Sequence, residues 1–170
     1  MTIVQLIGID PGLVDTGVVR IRIDTATRSV TVKENVFTNV SAGAIGVFVD
    51  QARDAHTYQF STYVYIEDFR VRKGYSTNIP MIGFINDLRK TVPSAKVLNN
   101  MGVTKVITKP IMEAFGVWDF NISTHHQDLR SAARIALFGA VRDDGLNNKF
   151  IFPVLLAAAA GQVPFTTINV

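Results

Sequence analysis

No cysteine occurs among the 170 residues, which excludes disulfide frameworks, zinc–thiolate sites and thiol nucleophiles. Long apolar runs are missing as well. The longest, "FIFPVLLAAAA" from Phe150 to Ala160, is too short to span a bilayer and contains Pro153. The opening "MTIVQLIGID" has neither the charged n-region nor the cleavage site of a secretory signal. A cytoplasmic protein without a membrane partner is therefore expected. Repeats, low-complexity tracts and linkers are absent, so residues 1–170 read as a single domain with room for a sizeable core. Charge is sparse at 18%, and the last 21 residues, Phe150 to Val170, carry none. That segment is expected to pack on the core or in a subunit interface. The net charge of +3 permits a polyanionic partner without requiring one.

Hydrophobic periodicity supplies the elements that are present. "IVQLIGID" is an apolar run closed by the turn Asp10-Pro11-Gly12, a strand and its end. "TGVVRIRID" and "RSVTVKENVF" alternate apolar and polar residues around a loop from Asp24 to Arg28, so the chain opens as a three-stranded meander. "AIGVFVDQARDAH" places Ile45, Phe48, Val49 and Ala52 on one helical face, and "TYVYIEDF" is a strand ending near Glu67. Ile79 to Lys90 reads as a helix with Pro80 in its first turn, and "AKVLN" as a short strand. "VTKVITKPIMEAF" is helical but interrupted at Pro110. The pattern predicts an α/β fold, a mixed five-stranded sheet flanked by helices.

The stretch "STHHQDLRSAARIALFGAV" predicts a late helix whose buried stripe runs through Leu129, Ala132, Ala133, Ala136, Leu137 and Ala140. Thr124 and Gln127 match a capping box, which makes His125 the first helical residue. His125 and Asp128 then share the inward face. A charge aimed inward is costly unless it is paired or holds a metal. Asp10 ends the first strand, and Glu67 ends an otherwise uncharged one. Each feature has an ordinary reading: a helix-start Asp, a good turn, a polar strand end. Together they form the oxygen-rich set that hard divalent cations favour.

"GIDPG…TG" around Asp10, Glu67 closing a central strand, and "HHQD" opening a late helix resemble the RuvC family of Holliday-junction resolvases, within the RNase H-like superfamily. The run "GVWDFNISTHHQDLRSAARIAL" is most similar to the phage-encoded branch. The resemblance implies an RNase H-like sheet and a site of four ligands, Asp10, Glu67, His125 and Asp128, holding two Mg²⁺ ions, with Mn²⁺ able to substitute. It also implies a homodimer acting on a four-way DNA junction, and no small-molecule cofactor. Its junction-wedging aromatic falls on Phe69 or on Tyr75. His125 is either a metal ligand or the base for the attacking water.

Around these positions, Arg70, Arg72 and Lys73 are candidates for the phosphate backbone. So are Arg130 and Arg134, and the i, i+4 pair Lys105 and Lys109. The rival functions are a broader nuclease of branched or flap DNA and a junction-binding protein without catalysis. An actin-like ATPase also opens with an Asp turn, but it needs two domains and more than 170 residues.

Overall fold

The computed structural model of the chain describes residues 3–54, 61–69, 78–121, 124–143, 152–160 and 166–169. Its framework is a mixed sheet. Strand β1 (Ile3–Asp10) pairs antiparallel with β2 (Asp15–Asp24), which pairs antiparallel with β3 (Ser29–Thr38). On its other side β1 runs parallel to β4 (Ser61–Asp68), and β4 parallel to β5 (Lys96–Asn99). These five are the strands the sequence pattern marks. A sixth, β6 (Thr166–Asn169), adds in parallel to β3, giving the order β5-β4-β1-β2-β3-β6. Its four residues lie in the uncharged C-terminal stretch and alternate too briefly to announce a strand.

The central strands are covered on both faces, as parallel strands must be. One face carries α1 (Ala42–Asp54) and α2 (Ile79–Thr91), with Ile7, Ile9, Val18, Val64 and Ile66 meeting Ile45, Val49, Ile85 and Leu88. Asn78 caps α2, its side-chain oxygen accepting from the Met81 N–H at 3.1 Å. The opposite face carries α5 (His126–Arg142), preceded by α3 (Val103–Val106) and α4 (Lys109–Ala114). Here Leu6, Val19, Ile21 and Tyr65 pack on Leu129, Ala132, Ala133, Ala136 and Leu137. The helix α6 (Phe152–Ala159) packs beside α4; its Leu155 is buried in this same layer, while Leu156 is 56% exposed. Among the described residues no helix is long and apolar enough to cross a membrane.

Two expectations need correction. Thr124 does not cap α5: the N-cap is His125, at φ −124°, ψ 30°, and no side chain caps the turn. The His125 ring is turned instead towards two carboxylates described below, and the helix starts one residue later than a capping box places it. Lys105 and Lys109 are not i, i+4 neighbours of one helix, because α3 ends at Val106 and α4 restarts at Lys109. Pro110 lacks the N–H a continuous helix would use, so it sits in the first turn of a new one.

The approach of α5 to the sheet depends on two glycines. A Cβ on Gly8 would lie 1.8 Å from the Ala132 carbonyl oxygen and 2.9 Å from the Ala136 Cβ. A Cβ on Gly17 would lie 2.8 Å from the main chain of Asp128. Gly83, on α2, has nothing within 4 Å of its hypothetical Cβ. Gly8→Ala is expected to cost about 3 kcal/mol, the upper end of overpacking. Gly83→Ala should gain about 0.5–1 kcal/mol from its helical setting. Urea unfolding of the two variants beside the parent chain checks both signs.

Candidate functional site

Strand alternation decides where the carboxylates point. On β1 the side of Val4, Leu6 and Gly8 faces α5, so Asp10, two residues on, faces it as well. On β4 the Tyr65 side faces α5, and Glu67 follows in the same phase. Asp128 lies in the first turn of α5, where the helix rests on Gly17, itself paired with Asp10 across β1 and β2. Three acids distant in sequence thus meet at the carboxyl ends of the parallel strands, the usual location of sites in such sheets.

The electrostatics of the cluster weigh on Asp10. Burial, and then the charges of Glu67 and Asp128, push the Asp10 carboxyl up to about 8, against a hydrogen bond from Ser131 that pulls it down. Burial also raises Glu67, while a hydrogen bond from the Asn100 side chain and the charge of Arg134 act in the other direction. The His125 Nδ1 lies 3.4 Å from the Asp128 Oδ2 and 3.9 Å from the Asp15 Oδ2. Asp15 is held in turn by the Thr38 hydroxyl, which donates to its Oδ1 at 2.6 Å.

Among the described residues no three His, Asp or Glu side chains close into a cage around one point. The donor set nevertheless suits a hard divalent cation: it is rich in carboxylate oxygen, half-buried, and includes two acids whose charges oppose the ionisation of Asp10. Asp10, Glu67 and Asp128 are the residues that could hold such an ion, with His125 beside them.

Of the expected DNA-contacting residues, Arg70, Arg72, Lys73 and Tyr75 lie outside the described residues. Phe69, just past β4, is 39% exposed. Arg130 is committed to its own fold, its Nε donating to the Trp118 carbonyl at 2.7 Å and its Nη2 lying 3.3 Å from Asp119. Its guanidinium stacks 4.1 Å from the Trp118 ring centre, with Arg134 at 5.5 Å and Lys109 at 5.0 Å around the same indole. Lys109 also pairs with Glu113 at 3.5 Å, and Lys105 is exposed on α3. Arg134 differs from Arg130: its Nε is buried without a hydrogen-bond partner, and its charge acts on Glu67. His126 turns from the acids and accepts from the Phe120 N–H at 3.4 Å.

Sequence reasoning missed Asp15, Asn100, Ser131 and Trp118. Ser131 had a signal, being i+3 from Asp128 on the inward face. The others become site neighbours only through strand pairing and loop docking.

A carboxyl whose pKa rises on folding keeps its proton more firmly in the native state. Stability contributed by protonated Asp10 is therefore fully present below 3.8 and lost as pH climbs towards about 8. In chelator, urea midpoints of the parent chain should fall across that window, and Asp10→Asn should flatten the decline. A parent profile that rises from pH 5 to 8, unaltered in Asp10→Asn, would contradict this account.

No protein-family model matches the chain, and no curated protein matches it in sequence. Solved structures do. Thermus thermophilus RuvC superposes with a TM-score of 0.54 at 14% identity, over 79% of this chain and 90% of RuvC. The same protein in complex with a Holliday junction substrate gives 0.53 at 15% identity, over 80% and 90% of the two chains. At such identities the likeness concerns the fold. The chain has the RNase H-like fold that RuvC carries.

Proposed function

We propose that the protein is a metal-dependent endonuclease that resolves four-way DNA junctions by paired, symmetric hydrolysis of phosphodiester bonds. The observation that carries the reading is that a strand, a second strand and a helix deliver Asp10, Glu67 and Asp128 to one end of the sheet, where the charges of the other two act on Asp10. Structural ion pairs do not gather three acids in this way without matching cations. A fold shared with a protein solved on a Holliday junction substrate supports the choice of DNA as polyanion.

In this reading Asp10, Glu67 and Asp128 hold two divalent cations, Mg²⁺ or Mn²⁺. The chemistry such ions supply is acidification of a water and polarisation of the scissile phosphoryl group. Asp10, fixed by the β1–β2 ladder, would be a ligand of such an ion. Ser131 orients its carboxylate. His125 either completes the ligand set or accepts the proton of the attacking water, and its position between Asp128 and Asp15 suits both tasks. Arg134, 5.5 Å from the Trp118 ring centre and acting by charge on Glu67, would contact a phosphate of the bound strand. Phe69 contacts the bases at the branch, and Lys105 extends the basic track along the backbone.

Two symmetric cuts require two sites related by a two-fold axis, so the acting species is a C2 homodimer.

The test is cleavage of end-labelled four-way junction, flap and linear duplex DNA in Mg²⁺ or Mn²⁺, beside Asp10→Asn. Expected are paired nicks at symmetric positions on the junction, reduced at least about 100-fold in the variant, as for loss of a metal ligand or its orienting partner. Equal cutting of flaps would replace junction resolution by general branch cleavage. Metal-dependent cutting retained in Asp10→Asn would remove the site assignment.

A further inference from the structure

Glu67 reaches the site on three side-chain torsions from the penultimate residue of β4, so something must select one of its rotamers. The structure supplies a partner from the neighbouring strand. In the parallel pairing of β4 and β5, Glu67 stands opposite Leu98, and Asn100 follows two residues later on the same side. The Asn100 Nδ2 donates to the Glu67 Oε1. Asn100 is itself held at both ends. Its carbonyl accepts from the Val103 N–H at 3.1 Å, and the adjacent Asn99 side chain accepts from the Met101 N–H at 2.8 Å. Gly102 takes the left-handed conformation, φ +80°, that turns the chain into α3, and the buried Val103 and Ile107 anchor it there.

We propose that Asn100 is a positioning residue, fixing one oxygen of Glu67 so that the other is presented to a divalent cation. The inference rests on Glu67 being a ligand, as proposed above. A carboxylate tethered through one oxygen by an amide N–H loses less freedom on binding an ion than an untethered one, because the rotamer is already chosen. Arg134 acts on Glu67 from the other flank through charge, which does not select a rotamer. Asn100 is exposed and supports no core side chain, so its removal is a local change.

The experiment is calorimetric titration of DNA-free protein with Mn²⁺ for the parent chain, Asn100→Ala, Glu67→Gln and the double variant. Thermal melts in chelator serve as the check on folding. Asn100→Ser, whose side chain suits a turn but is too short to reach Glu67, is the second variant. Both Asn100 variants are expected to bind Mn²⁺ about 10- to 100-fold more weakly with unchanged melting temperature, as for other residues that orient a ligand. Cleavage of the four-way junction should then show a lowered kcat at fixed Mn²⁺ that recovers in excess Mn²⁺, and an unchanged KM for DNA. In the Glu67→Gln background Asn100→Ala should add no further loss. Parent-like Mn²⁺ binding in both Asn100 variants would overturn the inference while leaving Glu67 as a ligand. Additive losses in the double variant would also overturn it, since Asn100 would then act independently of Glu67. Parent-like binding in Glu67→Gln would remove the ligand assignment itself, and this inference with it.

Discussion

Where α5 crosses the sheet, backbone meets backbone: the Ala132 carbonyl occupies the space a side chain on Gly8 would need, and the main chain of Asp128 rests on Gly17. No other residue type allows that separation. From this contact the positions of the acids follow. β1 alternates, so a strand that turns Gly8 to the helix turns Asp10 to it also. The start of α5 then has nowhere to lie except over the start of β2, which carries Asp128 to Asp10. Leu129, Ile135 and Leu137 are fully or almost fully buried along the same helix. At about 1.5–3 kcal/mol for each large apolar side chain removed from water, their burial outweighs the repulsion of a few half-buried carboxylates.

That repulsion is nevertheless substantial and is distributed with care. Asp10 is opposed by burial and by two neighbours, and receives one hydroxyl hydrogen bond in return. Glu67 has an amide and a nearby guanidinium. The guanidinium belongs to Arg134, which with Arg130 and Lys109 surrounds the single tryptophan of the chain. Trp118 thus gathers the cations on the flank of an acidic site, its ring face giving several positive charges one shared platform. Arg130 is spent on that platform, whereas the buried Nε of Arg134 still lacks an acceptor.

The framework was legible from periodicity because its elements are long or strongly patterned: the eight residues of β1, the ten each of β2 and β3, and the stripe of α5. β6 was not, since four residues cannot establish a period, and its place is fixed by pairing with β3. The cap of α5 was misread because Thr124 and Gln127 satisfy the pattern, while the fold uses His125 at that position and directs its ring to acids. Asp10, Glu67 and Asp128 could be picked out one by one because each is a charge where a strand or stripe calls for none. Asp15 opens β2 and Asn100 follows β5, polar strand ends where such residues are unremarkable, and only the register of β2 and β5 makes them neighbours of the site.

The three acids stand at positions 10, 67 and 128, on elements whose mutual contacts are all long-range. No fragment that lacks α5 therefore contains the complete site. During synthesis the opening meander can pair as soon as it emerges, but it holds one acid of the three. Glu67 joins when β4 pairs with β1, and Asp128 arrives only with the last quarter of the polypeptide, once α5 is free to settle on its glycines. A nascent molecule, or one in which α5 has opened, lacks Asp128 beside Asp10. Docking of α5 and completion of the charged centre are one event.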